Sequence, residues 1–258
     1  MLRTGLFGGY KNSRWQIPAP IAFTKIPDGS VPIVGNGSQR ARVVCISDMH
    51  FGHNKLTIPP ADILLIAGDI LKVTSKEKET QSVNEWISKI QCKEKYFVCG
   101  NHDIFLMNNE KRIAKILSSV TYLKDSSFIS PSTGVKIYGS PWTKERKNVV
   151  GRKSIAFSIP FKKLIKKWTL IPSDTDILIT HCPPWGIFDL THDVLRIGSL
   201  SLRNQVASRV FPKVHVFGHN HNYPGMVMGT FPNGNQCLFI NASCTFVRKP
   251  IRFDLLYN

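Results

Sequence analysis

Two histidines separated by one asparagine, His219 and His221, close the run VFGHNHNYPG at residues 216–225. Histidine is the commonest metal ligand, yet a single H-x-H pair is equally at home in a solvated turn. Four further clusters change that balance. RVVCIS (42–47) runs into Asp48-Met49-His50, DILLIAG (62–68) into Asp69, KYFVCG (95–100) into Asn101-His102-Asp103, and DILIT (176–180) into His181. KVHVFG (213–218) leads in the same way into His219 and His221, so five apolar segments each stop on a side chain of metal-ligand type. Aspartates, histidines and one asparagine amide, with no thiolate cluster, suit divalent ions such as Mn, Fe or Zn better than a structural Cys-type zinc site. The seven candidates are Asp48, His50, Asp69, Asn101, His181, His219 and His221. They are too many for one tetrahedral ion and fit two adjacent ions that share a carboxylate. Two ions roughly 3.5–4 Å apart clamp both sides of an in-line displacement at phosphorus.

Such groups need a rigid rim to hold them, and the apolar segments supply it. They are short and rich in β-branched or aromatic residues, as buried strands are, and VKIYGS (135–140) joins them. Helical spacing appears between them: Val83, Trp86, Ile87 and Ile90 in QSVNEWISKIQ, then Ile113, Ile116 and Leu117 after Asn109. Further helices are expected over Phe161–Trp168 and from about Leu200 to Val210. Strands alternating with helices build βαβ units around a mostly parallel sheet, whose carboxyl-end rim is where ligands collect. The glycines before Asp69, Asn101 and His219 are read as allowing a tight turn from strand to site. The last stretch, with MVMGTF, QCLFINA and IRFDLL, reads as antiparallel hairpins. Residues 1–41, rich in Gly and Pro, read as an extended N-terminal arm able to add an edge strand, and 42–258 as one domain.

Composition narrows the class. A chain of 258 residues with 42% hydrophobic content can bury a full core, and no apolar run approaches the roughly 18 residues of a membrane span. The 34 Lys+Arg against 17 Asp+Glu leave a formal charge of +17, which attracts anions such as a phosphorylated small molecule. Lysine runs in TSKEKE, FKKLIKKW and TKERK read as solvated surface in preference to a nucleic-acid site, since no nucleic-acid module accompanies them. The six cysteines form no CxxC pair and point to a reducing, cytoplasmic setting. The acid-free start MLRTGLFGGYKNSRW fits a mobile arm and leaves organellar import as the alternative.

The ordered blocks D-x-H, GD, GNH-D, H and GH-x-H resemble the calcineurin-like metallophosphoesterases. CISD, ADILLIAGDI, KIYGSPWT, LIPSDTDILITHCPP, KVHVFGH and FINAS resemble one branch in particular, the brain-type metallophosphoesterase-domain proteins akin to class III cyclic nucleotide phosphodiesterases. The resemblance covers roughly residues 40 to 258. It implies an α/β fold, a four-layer αββα sandwich of two mixed β-sheets flanked by helices, and hydrolysis of a phosphate ester by a metal-bridging hydroxide. Carried over by residue, Asp48, His50 and His221 would bind the first ion, Asn101, His181 and His219 the second, and Asp69 would bridge them. Manganese is the first expectation for both ions, with iron or zinc as alternatives. His102 is the resemblance's candidate for protonating the leaving group, with Asp103 either its orienting partner or a structural cap.

Three departures lie outside this set: Cys182 stands where the branch has glycine, the loop ILKVTSKEKE lacks an acidic turn, and the insert RKNVVGRKSIAFSIP is strongly basic. The leading expectation is a phosphodiesterase for cyclic nucleotides or similar small diesters. The alternatives are a phosphomonoesterase or phosphoprotein phosphatase, a nuclease, and a noncatalytic metal-binding scaffold. His53 reads as a loop residue near the first block and His215 as packed within its strand. His192 has no assigned place.

Overall fold

Side-chain alternation along the strands decides the layering. In β3 (Gln39–Ile46), Val43 and Cys45 face one way and Val44 and Ile46 the other, and all four are fully buried. A strand buried on both faces needs cover on both. The computed structural model, which describes residues 20–145 and 155–258, supplies that cover with a second sheet on one side and helices on the other.

The first sheet has the order β2 (Ile33–Val34), β15 (Ile251–Tyr257), β3, β4 (Ala61–Ile66), β5 (Cys92–Phe97), β6 (Thr121–Tyr122). From β3 to β6 the pairs are parallel. The second sheet runs β1 (Ala22–Lys25), β13 (Gly225–Thr230), β14 (Gln236–Asn241), β12 (Val214–Phe217), β11 (Ile177–Thr180), β8 (Lys136–Ser140), β7 (Ser126–Ile129). Its centre, β8-β11-β12-β14, is parallel, and its margins are antiparallel. A separate parallel pair joins β9 (Thr143–Lys144) to β10 (Ser158–Ile159).

Val43, Ile63 and Leu65 of one sheet meet Ile137, Ile177, Val214 and Leu238 of the other in the middle of the molecule. Behind the first sheet, Val44, Leu64 and Phe97 pack on α1 (Glu77–Ser88), α2 (Ile104–Asn108) and α3 (Ile113–Ile116). Behind the second, Tyr138, Leu178 and Phe239 pack on α4 (Phe161–Thr169) and α5 (Leu200–Gln205). The result is the four-layer αββα arrangement, and both parallel centres point their carboxyl ends at the same rim. In α4 the stripe Leu164 and Trp168 is buried while Lys162, Lys163 and Lys166 face outward. None of the described helices is long and apolar enough to cross a membrane.

Several expectations are corrected here. QCLFINA and IRFDLL do not form a hairpin: β14 is already flanked by β12 and β13, so β15 leaves for the other sheet and pairs antiparallel with β3. The helix expected after Asn109 is a 3-10 turn followed by a single α-turn, preceded by the unforeseen α2. The helix expected to reach Val210 changes at Val206 into a π-turn that ends on the left-handed Phe211. Strands β1 and β2, both drawn from residues before Gln39, close one edge of each sheet. The basic start 1–15 and the residues 146–154 of the basic insert lie outside the described residues.

His215, fully buried on β12 against Phe217 and Phe239, carries no site chemistry. Thr180 donates its hydroxyl to the Cys182 carbonyl (2.7 Å), so it accepts from His215 Nε2 (2.9 Å), and Nδ1 is left buried without a partner. Burial pushes this imidazole down to about 3 from the usual 6.5. The unfolded chain therefore binds a proton that the folded chain refuses, and stability is lost as pH falls through the unfolded value. Between about pH 7.5 and about pH 5.5 the loss is about 1.4 kcal/mol. His215→Leu is expected to remove that increment, read as a smaller shift of the urea midpoint between the two pH values. An unchanged acid shift would show that His215 is not the responsible group.

Candidate metal centre

The loops that follow β3 and β4 are laced together by their own backbones. Asp48 N–H donates to the Gly68 carbonyl (2.9 Å), His50 to Asp69 (3.0 Å) and Phe51 to Ile70 (2.9 Å). This lacing holds Asp48, His50 and Asp69 in the left-handed region, with φ of 55°, 45° and 53°. His219, on the turn after β12, joins them at 67°. Left-handed non-glycine residues are uncommon and cost energy that the surrounding structure must offset. Here four of them carry candidate ligands.

The glycines expected to ease these turns act in two different ways. Gly68 has φ +98°, as a tight turn requires. Gly100 and Gly218 do not have positive φ, and closeness is what demands them. A Cβ on Gly100 would stand 2.2 Å from Asp69 Oδ1, and one on Gly218 would stand 2.0 Å from Ser47 Oγ and 2.4 Å from Asp48 Oδ2.

Asp48, His50, Asp69 and His221 bring one ligand atom each to within 4.8 Å of one another. His50 Nε2 and His221 Nε2 face each other at 3.1 Å, and His221 Nε2 lies 3.3 Å from Asp48 Oδ1. A second group adjoins it. His181 donates through Nδ1 to the Ala67 carbonyl (2.8 Å), which turns Nε2 towards Asn101 Oδ1 at 3.0 Å and Asp69 Oδ2 at 3.3 Å. A backbone carbonyl on the far ring nitrogen is how metal-ligating histidines are usually oriented. The His219 ring stands edge-on to His181 with centroids 5.0 Å apart, and its backbone N–H donates to Asp48. Asp69 Oδ2, between the groups, is buried without a hydrogen bond of its own.

Charge within the cluster is balanced by pairing. Burial by itself would raise the Asp69 carboxyl, but His181, with His102 and His50, outweighs it and holds the group below the usual carboxylate range. Asp48 follows the same pattern, with burial outweighed by His221 and His181. Burial would lower His181, yet the Asp69 carboxylate pushes it up to about 9; Asp48 likewise raises His221 against its burial. At His50 burial dominates and the imidazole is lowered. Two fully buried carboxylates thus require positive charge beside them, and a divalent metal at this candidate site would supply it. The donor set, the orphaned oxygen and the oriented imidazole all fit such a site.

His102 donates its backbone N–H to Asp69 Oδ1 (2.7 Å) and packs its ring edge-on to His50 with centroids 4.6 Å apart. Asp103 is fully buried and spends both oxygens on backbone amides: Gly100 (2.7 Å) and Asp69 (3.0 Å) on Oδ2, Leu71 (3.0 Å) on Oδ1. With both oxygens on loop amides and no side-chain hydrogen bond to α2, it ties the ligand loops together and does not cap the helix that follows it. His53 is buried against Phe51 and Trp86 with Nε2 near Ser82 Oγ, away from the centre. His192 sits on a rim loop, with its backbone N–H on Asn222 Oδ1 and its ring beside Tyr223.

Above the centre opens a cleft of about 280 Å³ lined by Asp69, Asn101, His102, His219 and His221. Lys144, Thr191, Asn222 and Phe246 line it too; Lys144 belongs to the TKERK run expected as solvated surface and instead forms part of the cleft wall, while the other three had no expected role. Lys144 and Phe246 were findable: each lies just past a strand in the same half of the molecule, after KIYGS and after QCLFIN. Asn222 was findable as well, directly after His221, whereas Thr191 comes from a loop whose path only the fold determines.

The family described as calcineurin-like phosphoesterase matches residues 41–223. The chain is 33% identical over 245 residues to Metallophosphoesterase domain-containing protein 1 of Homo sapiens, spanning 83% of this chain and 71% of that one. It is 31% identical over 247 residues to a UPF0046 protein of Caenorhabditis elegans, spanning 83% of this chain and 60% of that one. Among solved structures, the phosphopantetheinyl hydrolase of Mycobacterium tuberculosis superposes with a TM-score of 0.53 at 16% identity, over 84% of this chain and 91% of that one. That last likeness concerns the fold alone.

Gly218→Ala tests whether the close approach matters. It is expected to displace Asp48 and weaken divalent-metal binding about 10- to 100-fold, as loss of a ligand's support does, while circular dichroism stays unchanged. Calorimetric titration with Mn reads the affinity. Gly134→Ala, at φ +70° with open space around it, should cost stability through strain alone and leave metal affinity at the wild-type value.

Proposed function

We propose, from the premise that this chain belongs to the calcineurin-like phosphoesterase family, that it is a dinuclear-metal phosphodiesterase acting on a small anionic diester, cyclic nucleotides foremost. Membership makes it a hydrolase of phosphoesters with a divalent-metal site, for which Asp48, His50, Asp69 and His221 are the candidate ligands. The finer reading is carried by one observation, the position of Asp69 Oδ2. This orphaned oxygen lies 4.0 Å from His50 Nε2 and 3.3 Å from His181 Nε2, so a ligand set stands on either side of it. On this reading Asp48, His50 and His221 hold one ion, Asn101, His181 and His219 the other, and Asp69 bridges; manganese is the first candidate for both.

When bound, two such cations lower the pKa of a water between them and offset charge on the phosphoryl oxygens. The remaining work belongs to side chains. His102 lines the cleft beside the cluster and gives the leaving oxygen its proton. Asp103 is a positioning residue: by gathering the amides of Gly100, Asp69 and Leu71 it fixes the turn bearing Asn101 and His102 against the bridging carboxylate. Lys144 places a cation in the cleft wall, where an anionic substrate gains from it. The cleft volume of about 280 Å³ lies at the lower end of the roughly 300–1,000 Å³ typical of small-molecule sites, which favours a small ester over a folded phosphoprotein.

The test is a screen of Mn-reconstituted protein against cyclic nucleotides, phosphomonoesters and single-stranded nucleic acid. Turnover of cyclic nucleotides above the other two supports the assignment; activity confined to monoesters or to nucleic acid overturns it. Asp69→Asn is expected to lower metal occupancy at two sites and His50→Ala at one, read by elemental analysis after reconstitution; full occupancy in Asp69→Asn removes the bridging role. His102→Ala should keep its metals yet lose on the order of 10²–10⁴ in rate on substrates that expel an alkoxide. The deficit should shrink for p-nitrophenyl esters, whose leaving group departs without a proton. Equal losses on both would mean that His102 positions the phosphate and is not the acid.

A further inference from the structure

Phe246 stands apart from the other aromatic residues near the centre. A single exposed apolar side chain needs no explanation, but this one is 67% exposed while lining the same cleft as the candidate ligands. Its ring meets His221 edge-on, with centroids 6.3 Å apart and planes at 75°. A largely solvent-exposed phenyl ring thus stands in the cleft wall beside His221.

The mounting of this ring is tied to the cluster. Thr245 donates its hydroxyl to the Asp48 carbonyl (2.9 Å), and the Cys244 N–H donates to the Ser47 carbonyl (2.8 Å). Ser243 is bridged to Ser47 in parallel fashion. Three successive residues before Phe246 are thus fastened to the two residues at the start of the first ligand block. The backbone leading into Phe246 is thereby fixed to the cluster, as a subsite for the non-reacting part of a substrate requires.

We infer that Phe246 is the stacking platform of a base subsite, so that the cleft takes a nucleotide recognised by its planar base as well as its phosphate. The inference rests on the phosphodiesterase reading above for the orientation of the phosphate. Stacking suits the observed surroundings, because an aromatic face accepts any base without a hydrogen-bond code. It also covers apolar ring surface that otherwise stays in water. A small phosphoester with no planar or apolar group would leave Phe246 exposed, and an alkyl group would cover it without the face-to-face stacking a base adds.

Calorimetry of the Mn-loaded protein with adenosine monophosphate and with ribose phosphate, corrected for any phosphate released, reads the base contribution to binding. Wild type is expected to prefer the nucleotide by about 5- to 150-fold, the usual worth of one base–aromatic stack. Phe246→Ala should bring that ratio close to one with the ribose phosphate affinity unchanged, while Phe246→Trp and Phe246→Tyr keep it. In turnover of a cyclic nucleotide, Phe246→Ala should raise KM by the same factor and leave kcat within about twofold, as loss of uniform binding does. Equal wild-type affinity for the two ligands, or equal weakening of both in Phe246→Ala, overturns the base subsite. Wild type that discriminates the two ligands but cleaves no diester keeps the subsite and removes the phosphodiesterase reading. Cleavage of diesters without discrimination does the reverse.

Discussion

A fully buried carboxylate with an unpartnered oxygen is the constraint on which the rest of this structure turns. Asp69 cannot sit there as an isolated charge, since desolvating an ion costs several kcal/mol even after relaxation. The molecule meets the demand by surrounding it: His102 N–H on one oxygen, His181 and His50 imidazoles about the other. Asp48, equally buried, takes His221 and the His219 N–H. Every element that ends near these two residues ends there because it brings a donor, a cation or a ligand. The same arrangement makes the place attractive to divalent metal, since an electrostatic deficit of this kind is what a cation fills.

Holding such a centre requires loops that do not relax. The loops after β3 and β4 are joined by three backbone hydrogen bonds, and Asp103 adds two between the loops after β4 and β5 and a third, from Gly100, within its own loop. The left-handed conformations of Asp48, His50 and Asp69 are held by that lacing, and that of His219 by its N–H on the Asp48 carboxylate. Strain stored at a ligand cluster and offset by packed sheets beneath is a recurrent arrangement at functional sites. Here the offset comes from the core between the sheets, where Ile63, Leu65, Ile177 and Val216 are fully buried.

The cleft above the centre is less uniform than its floor. Its floor is polar and charge-compensated; its rim carries Lys144 on one strand-end and Phe246 on another, with Thr191 and Asn222 between loops. Metal chemistry at the floor is indifferent to what is esterified, so discrimination must come from this rim. Cys182, the odd residue of the THCPP block, is buried with its thiol pushed up to about 12 by desolvation, and it packs as a small hydrophobe with no part in the rim.

Strand ends, ligand types and their order could be read directly from the chain, because a buried strand must be apolar and a metal ligand must carry a lone pair, and both are local chemical facts. That is why Asp48, His50, Asp69, Asn101, His181, His219 and His221 could be named as candidate ligands before any coordinate, and why β3, β4, β5, β8, β11 and β12 were anticipated within a few residues. Pairing between distant segments was not legible. The departure of β15 to the other sheet depends on β14 having both edges filled, which no stretch of sequence states. Nor could glycine at 100 and 218 be assigned its true reason: a turn and a close approach look alike in sequence, and only the space left beside Asp69 and Asp48 separates them. Asp103 posed the same difficulty, since a carboxylate beside a histidine suits an orienting partner and a cap alike until the backbone amides that claim its oxygens are seen. Residue type determined what could bind; the tertiary structure alone decided which atoms meet, because distances between loops are set by the packing of two sheets and not by their spacing along the chain.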